Sequence, residues 1–178
     1  MLVVLVNGLP GAGKTTLARE LGRALRLPVF AKDAVKETLA DHLPGQGAEW
    51  SRSLGVAAGE TLWTLLAYAP GGAVLESPWL AQLRGVVLAG LARAEVDPAT
   101  VHEVWCDAPV EVARRRYESR APGRHPVHRD TLVDSGVRFA AWAAAAAPLG
   151  VGTLHRVDTT GPVDVAALAG RITAARAD

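Results

Sequence analysis

The sequence predicts a three-layer α/β fold in which helices cover both faces of one parallel sheet. Residues 2–6 form an uninterrupted apolar run, which is typical of a strand buried on both faces. Leu17, Leu21 and Leu25 then recur at helical spacing. Further apolar runs alternate with helical patterns along the rest of the chain, and this alternation indicates parallel strands joined by crossover helices.

Five short apolar segments are predicted as the strands of this sheet: residues 2–7, 28–31, 73–76, 101–106 and 153–157. Helical patterns lie between them at 16–25, 34–39 and 51–69, in a segment that carries Leu80 and Val87, and in one that begins near Pro162. Asp107 and Pro109 are typical of a helix start, with the carboxylate as N-cap and the proline in the first turn. The alanine run 143–147 favours helix, because alanine has the highest helix propensity.

The composition favours one compact unit without a membrane segment. Because the chain shows no linker or repeat, residues 1–178 are predicted to form a single domain. A formal net charge of +1 argues against an extended nucleic-acid surface. Cys106 is the single cysteine, which excludes an intrachain disulfide and favours a cytoplasmic protein. The first apolar run lacks a basic leader, and no apolar stretch is long enough to span a bilayer. We expect a monomer or a homodimer.

Residues 8–15 match the pattern G-x-x-x-x-G-K-[ST] at every fixed position, and we call them the phosphate loop. Glycines permit a tight turn in which successive N–H groups face one point, and the following helix adds its positive end. Lys14 is expected to reach the β- and γ-phosphates, and the Thr15 hydroxyl to hold Mg²⁺. The motif therefore predicts binding of ATP and Mg²⁺, against the alternative of a chance glycine turn. The predicted nucleotide-binding residues here are Gly8, Gly11, Ala12, Gly13, Lys14, Thr15 and Thr16.

Two acidic residues follow predicted strands, at the edge of the sheet where ligands of such folds bind. Asp33 comes after the second strand and can orient an acceptor hydroxyl and take its proton during phosphoryl transfer. The alternative role for Asp33 is the N-cap of the following helix. Glu76 ends the third strand, where it can hold a metal-bound water or bind the acceptor. The alternative for Glu76 is a buried structural acid, which is costly without a partner.

An arginine-rich segment, residues 114–130, is predicted as a mobile lid, and we call it the lid segment. It holds five arginines between positions 114 and 124, before proline and glycine interrupt the helix. Arginine suits a lid because its planar guanidinium stays charged and binds phosphate through two N–H groups. We expect Arg120 and Arg124 to act on the transferring phosphoryl group and Arg116 to contact the nucleotide. A solvated basic helix face is the alternative, and we expect it for two or three of the five.

Aromatic and histidine residues near these segments carry weaker functional patterns. Trp50, Trp63 and Trp79 can wall an acceptor pocket, although packing is the alternative for any one of them. His125 and His128 are interpreted as loop residues and not as metal ligands, because no cysteine or acid accompanies them at metal-ligand spacing.

With the phosphate loop, the Asp33 segment and the arginine-rich stretch in place, the chain resembles the small P-loop kinases. It is most similar to the bacterial AAA_33-type kinases, with chloramphenicol phosphotransferase and the kinase domain of polynucleotide kinase as relatives. The resemblance implies the three-layer P-loop NTPase fold, with a five-stranded parallel sheet ordered 2-3-1-4-5. It implies that Asp33 activates the acceptor and that Arg116, Arg120 and Arg124 are lid residues.

The same resemblance implies that residues 157–160 line the nucleotide base, which adds Asp158 and Thr159 to the predicted nucleotide site. Glu76 departs from the pattern, because several relatives carry aspartate at that position. The hypothesis is an ATP-dependent kinase that transfers the γ-phosphate to a hydroxyl of a small molecule, such as an antibiotic or a nucleoside-like compound. The alternatives are a 5′-hydroxyl polynucleotide kinase and a non-catalytic ATP-binding switch.

Overall fold

The computed structural model describes residues 1–128 and 135–174. Within these residues, five parallel strands form one sheet in the order β2-β3-β1-β4-β5. The strands are β1 (Leu2–Gly8), β2 (Val29–Ala31), β3 (Gly72–Glu76), β4 (His102–Asp107) and β5 (Thr153–Asp158). The predicted fold class and strand order are therefore confirmed, and each predicted strand agrees with an observed one to within a residue at either end.

The helices of the described residues follow the strands in the expected alternation. They are α1 (Lys14–Leu25), α2 (Lys32–His42), α3 (Gly47–Ala67), α4 (Arg84–Arg93), α5 (Val110–Ser119), α6 (Ser135–Ala144) and α7 (Val165–Ala174). Short 3₁₀ turns lie at Ala81–Leu83, Pro98–Thr100, Ala121–Gly123 and Pro126–His128. No helix among the described residues has the length and apolar character that crossing a bilayer would require.

Alternate residues of β1 enter two separate cores, one on each face of the sheet. Val4 and Val6 pack in a core with residues of α1 and α7, and Val3 and Leu5 pack in another with residues of α3 and α4. Leu5 is representative, with no exposed surface. Because both faces of β1 are buried, its apolar run is continuous and not alternating. The three-layer arrangement follows from this burial.

The strand register brings the carboxyl ends of all strands to one edge. Glu76 pairs with Val6 and with Ala31, Cys106 pairs with Gly8, and Asp107 pairs with Asp158. The phosphate loop, the start of α2, the segment after β3 and the loop after β5 therefore meet at this edge. This is the edge at which ligands bind in open parallel sheets.

The predicted helix start at Asp107 and Pro109 is wrong. Asp107 is the last residue of β4, and its carboxylate accepts a hydrogen bond from Arg156 at 3.1 Å. Pro109 is the N-cap of α5, without a side-chain cap bond, and the helix begins at Val110. Pairing of Asp107 with Asp158 extends the strand by a residue, so the sheet overrides the local capping signal.

Several predicted helix boundaries also differ from the structure. The helix α3 begins at Gly47 and not at residue 51, and α7 begins at Val165 and not near Pro162. Leu80 precedes α4 and is the residue before a 3₁₀ turn. The alanine run 143–147 is helical only to Ala144, because the chain turns there toward Leu149, whose N–H bonds to the buried Glu103 carboxylate at 2.7 Å.

Candidate active site

The phosphate loop adopts a backbone that its glycines make accessible. Gly11 has a φ of 88° and Gly13 a φ of 92°, both in the left-handed region that side chains disfavour. A Cβ on Gly11 would lie 2.0 Å from the carbonyl oxygen of Ala113, so this glycine also permits the close approach of α5. Gly13 is the N-cap of α1. The structure therefore joins the strand, the glycine turn and the helix in the predicted order.

Lys14 is held inside the phosphate loop. Its side chain is buried, and Nζ donates a hydrogen bond to the carbonyl oxygen of Leu9 at 2.9 Å. Burial lowers the pKa of Lys14, whereas the nearby charges of Glu76 and Asp33 act in the raising direction. The ammonium group therefore depends on its acidic neighbours to stay charged.

Thr15 and Glu76 are in contact, as a shared metal role requires. The Thr15 hydroxyl donates a hydrogen bond to Glu76 Oε2 at 3.3 Å. Glu76 is 4% exposed, and burial raises the pKa of this carboxyl, with the charge of Lys14 opposing the shift. A hydroxyl and a carboxylate are the hard oxygen donors that suit Mg²⁺. No group of three or more His, Cys, Asp or Glu side chains that could by itself hold a metal ion occurs among the described residues, so Mg²⁺ at this position would also need phosphate and water oxygens.

Asp33 lies at the same edge of the sheet with its carboxylate exposed. It is the second residue of α2, whose N-cap is Ala31 and has no side-chain cap bond, so Asp33 does not serve the alternative capping role. Burial dominates the lowered pKa of Lys14 and the raised pKa of Glu76, and the charge of Asp33 adds in the raising direction to both. Asp33, Lys14 and Glu76 thus form one electrostatic group.

Arg116 connects α5 to the loop after β5. Its guanidinium donates two hydrogen bonds, to the carbonyl oxygens of Thr159 and Thr160, each at 2.8 Å. A Cβ on Gly13 would lie 3.7 Å from the Thr159 Cβ, so this loop also borders the phosphate loop. Asp158 Oδ1 accepts bonds from the N–H and the hydroxyl of Thr160, and these bonds lower the pKa of Asp158. The structure therefore brings Arg116, Asp158 and Thr159 together beside the phosphate loop.

The five arginines between positions 114 and 124 separate into two groups. Arg114 lies 3.5 Å from Glu111 and 3.8 Å from Glu118 in exposed ion pairs, and Arg115 is exposed. Arg120 Nε donates to the Arg116 carbonyl oxygen at 3.0 Å. Burial lowers the pKa of Arg120, and the charges of Arg124 and Arg116 act in the same direction.

Arg124 completes the second group, and its guanidinium stacks 3.5 Å from the ring centroid of Tyr117. Repulsion among Arg116, Arg120 and Arg124 is the electrostatic feature expected where an anion is to be bound. Residues 129 and 130, the end of the predicted lid segment, lie outside the described residues.

The lid segment docks on α2 and α3 through contacts that sequence reasoning missed. His125 Nε2 lies 3.0 Å from Asp41 Oδ1, and His128 Nε2 lies 2.9 Å from Glu37 Oε1. Ser51 donates to the Val127 carbonyl oxygen at 2.7 Å. The available signal was a pair of histidines at i, i+3 and a pair of acids at i, i+4, which is too common a pattern to predict pairing.

A cavity of about 390 Å³ lies beside these contacts, lined in part by Asp41, Gln46, Trp50 and His125. A second cavity of about 440 Å³, lined in part by Leu2 and Gly71, opens near the amino ends of β1 and β3, away from the phosphate loop. The first cavity borders the lid segment and is therefore the better candidate for an acceptor.

The three tryptophans that were predicted to wall an acceptor pocket divide between core packing and cavity lining. Trp63 and Trp79 are 2% and 4% exposed, and their rings stack with centroids 5.6 Å apart inside the core. The packing alternative therefore holds for both. Trp50 is half-buried and lines the cavity, as the prediction for an acceptor wall requires.

Comparisons with known proteins agree with this geometry. The family model AAA_33, described as an AAA domain, matches residues 3–145. A crystal structure of a candidate kinase from Chloroflexus aurantiacus superposes with a TM-score of 0.83 at 31% identity, over 97% of each chain. A gluconokinase from Sinorhizobium meliloti superposes with a TM-score of 0.66 over 99% of this chain and 93% of its own, and its 16% identity shows a shared fold alone.

A cytidylate kinase from Pyrobaculum calidifontis is 48% identical over 40 residues. That match spans 22% of this chain and 22% of the relative's own length, about a fifth of either protein.

Proposed function

The chain belongs to the AAA_33 family and has the fold of the small P-loop kinases, and on that premise we propose that it is an ATP-dependent kinase for a hydroxyl group of a small organic molecule. The observation that supports this proposal most directly is the arrangement of Lys14, Asp33 and Glu76 at one edge of the sheet. A nucleotide-binding loop and a candidate base meet there beneath a cluster of lid arginines. Phosphoryl transfer requires these parts and little covalent chemistry from the protein.

The chain's own groups account for nucleotide binding. Backbone N–H groups of the phosphate loop and the start of α1 bind the phosphates, and Lys14 exchanges its bond to the Leu9 carbonyl for phosphate oxygens. Thr15 and Glu76 would hold Mg²⁺, which supplies charge neutralisation at the β- and γ-phosphates. Arg116 fixes the loop of Thr159 and Thr160 beside the base.

Asp33 accounts for activation of the acceptor. Its exposed carboxylate accepts a hydrogen bond from the acceptor hydroxyl, aligns that oxygen with the γ-phosphorus, and receives the proton late in the transfer. Arg120 and Arg124 lie on the lid segment, where they neutralise charge on the phosphoryl oxygens. Docking of the lid segment on α2 excludes water, which protects ATP from hydrolysis.

The identity match to cytidylate kinases favours a second candidate, transfer to the phosphate of a nucleoside monophosphate. The two candidates differ at the acceptor atom. A hydroxyl acceptor needs a base such as Asp33, whereas a phosphate acceptor is already ionised at neutral pH. Loss of transfer on removal of the Asp33 carboxylate therefore favours the hydroxyl.

The test is incubation of the full chain with γ-labelled ATP, Mg²⁺ and a panel of acceptors. The panel contains sugar acids, nucleosides, aminoglycoside and amphenicol antibiotics, nucleoside monophosphates and short oligonucleotides with a 5′-hydroxyl. We expect a labelled small-molecule product that disappears in Lys14→Met and persists in Glu20→Gln, an exposed charge change on the same helix.

Each other result contradicts the proposal in a distinct way. Labelled oligonucleotide, with binding that weakens steeply with salt, indicates a polynucleotide kinase. Labelled nucleoside diphosphate indicates the monophosphate kinase. Tight binding of ATP without any product indicates a switch.

A further inference from the structure

A buried carboxylate on β4 joins three separate segments near the phosphate loop. Glu103 has no exposed surface. Its Oε1 accepts hydrogen bonds from Asn7 Nδ2 at 3.0 Å and from the Leu149 N–H at 2.7 Å. Its Oε2 accepts a bond from the Gly150 N–H at 2.9 Å. All three partners are N–H donors, so the two oxygens act here only as acceptors.

Asn7 transmits this arrangement to the site. It is the residue before the phosphate loop, and it is also fully buried. Asn7 Oδ1 accepts a hydrogen bond from the Gly8 N–H at 2.7 Å, and Nδ2 donates to the Trp79 carbonyl oxygen as well as to Glu103. One amide therefore connects the start of the phosphate loop with the segment that follows β3.

The connection lies beside Glu76 in the sheet, because Asn7 follows Val6, the residue that pairs with Glu76. Glu76 is the last residue of β3 paired with β1, and the chain leaves the sheet immediately after it. Ser77 N–H still reaches the Val6 carbonyl oxygen, but at 3.4 Å, a long hydrogen bond. The Asn7–Trp79 bond is the next link between the two strands. It therefore fixes the distance between the segment that carries Glu76 and the loop that precedes Thr15.

Three partners together set which way the Asn7 amide points. An amide has one accepting and one donating end, and rotation by a half turn exchanges them. The Gly8 N–H requires Oδ1 on its side, and the Trp79 carbonyl and Glu103 require Nδ2 on theirs. A glutamine at position 103 has a single accepting oxygen, so its NH₂ group would face an N–H donor, either at Gly150 or at Asn7 and Leu149. The substitution therefore weakens the anchor of the Asn7 side chain.

We propose that Glu103 and Asn7 are positioning residues that hold Glu76 and Thr15 at the spacing needed to bind a nucleotide together with Mg²⁺. This inference rests on the proposed nucleotide site. It adds a second layer of support that no residue of the phosphate motif specifies, because Glu103 bonds to the Asn7 side chain, which in turn bonds to Gly8.

The test measures the Mg²⁺ concentration that half-saturates ATP binding, by calorimetry on the full chain. We expect Glu103→Gln and Asn7→Ala each to raise that concentration about 10-fold, the lower end for residues that orient metal ligands. ATP binding in the absence of Mg²⁺ changes much less, since within the phosphate loop the Asn7 side chain bonds to the first N–H, that of Gly8. The double variant shifts no further than either single variant, because both act through the same amide.

The matched control is Leu62→Ala, a fully buried residue in the core on the same face of the sheet as Leu5. It lowers the melting temperature without changing the Mg²⁺ half-saturation. If Glu103→Gln does not fold, the Mg²⁺ half-saturation of Asn7→Ala alone tests the inference. An unchanged half-saturation in the folded variants, an equal shift in Leu62→Ala, or wild-type binding that ignores Mg²⁺ overturns the inference. If wild-type ATP binding responds to Mg²⁺ but no phosphoryl transfer is found, the proposed kinase function is contradicted and the inference about Glu103 and Asn7 is not.

Discussion

The hydroxyl of Thr15 donates a hydrogen bond to the Glu76 carboxylate at 3.3 Å, and this contact joins the first turn of α1 to the end of β3. Sixty-one positions separate the two residues in the chain. The contact brings two oxygen donors suited to Mg²⁺ to the rim of the phosphate loop, next to the buried Lys14 ammonium. The chemistry proposed for the site depends on the charge states of Lys14 and Glu76.

Removal of the Glu76 charge should change how stability depends on pH. Burial raises the pKa of Glu76, so the folded protein binds this proton more tightly than the unfolded chain does. The stability that this group contributes is complete below its ordinary pKa and is lost as the pH rises through the raised folded value. In Glu76→Gln that loss is absent. We expect the melting temperature of the wild type to fall relative to this variant as the pH rises above 4.5, the ordinary pKa of a glutamate carboxyl.

Thermal melts monitored by circular dichroism at several pH values check this prediction. Glu20→Gln, which changes an exposed acid on α1, should follow the wild-type curve. A difference between wild type and Glu76→Gln that stays constant with pH would show that the two states bind the Glu76 proton equally.

Lys14→Met should abolish most nucleotide binding without unfolding the protein. Loss of a charged hydrogen bond to phosphate is worth about 1.5–3 kcal/mol, which corresponds to about 10- to 100-fold in affinity. Because burial disfavours the charged form of Lys14, an uncharged methionine of similar length is a tolerable replacement in the free protein. Calorimetry with Mg·ATP measures the loss, and Arg23→Met in the last turn of the same helix is the control. Equal heats of Mg·ATP binding for Lys14→Met and the wild type would contradict the role of the phosphate loop in nucleotide binding.

Asp33→Asn should separate binding from transfer. The asparagine still accepts a hydrogen bond from a hydroxyl but takes no proton, so turnover is expected to fall by about 10²–10⁴. Binding of ATP should change much less than turnover, because burial and Glu76 act on the pKa of Lys14 more strongly than the exposed Asp33 does. Single-turnover transfer of labelled phosphate measures the first quantity and calorimetry the second. Turnover at the wild-type rate would contradict the role of Asp33 as base.

Arg116→Lys should weaken nucleotide binding more than catalysis. One ammonium group cannot reproduce the two guanidinium bonds to the carbonyl oxygens of Thr159 and Thr160. The loop that borders the base then loses a fixed position, and we expect the KM for ATP to rise about 10-fold with a smaller change in kcat. The control is Arg115→Lys, an exposed neighbour on α5. A fall in kcat at constant KM would instead place Arg116 on the transferring phosphoryl group.

Local patterns predicted the strands and the phosphate loop well, and helix ends less well. Glycine at positions 11 and 13 is required by positive φ angles, so the motif itself contains the physical reason for its backbone. The end of β4 was misjudged because Asp107 and Pro109 form a plausible local cap, whereas the pairing of Asp107 with Asp158 is a long-range contact. The acid Asp33 was placed at the correct edge because carboxyl ends of parallel strands share one edge.

The tertiary structure alone decided which side chains of the arginine-rich segment face the site. A helix presents its residues in several directions, so the pattern predicted that two or three arginines are solvated, and Arg116, Arg120 and Arg124 were expected at the site without a contact to place them. Packing of α5 on the phosphate loop at Gly11 turns Arg116 toward Thr159 and leaves Arg114 with exposed acids. The burial of Trp63 and Trp79 in one stack was likewise decided by packing.

The amino-acid sequence by itself determined the α/β alternation and the phosphate loop, because both depend on the backbone preferences and apolar periodicity of neighbouring residues. Only the tertiary structure decided that Glu103 supports Asn7, that Thr15 meets Glu76, and that Arg116 reaches the loop after β5. These partners are 96, 61 and 43 positions apart, and the strand order brings them together. No local pattern encodes such contacts, because they arise only when separate strands take their places in one sheet.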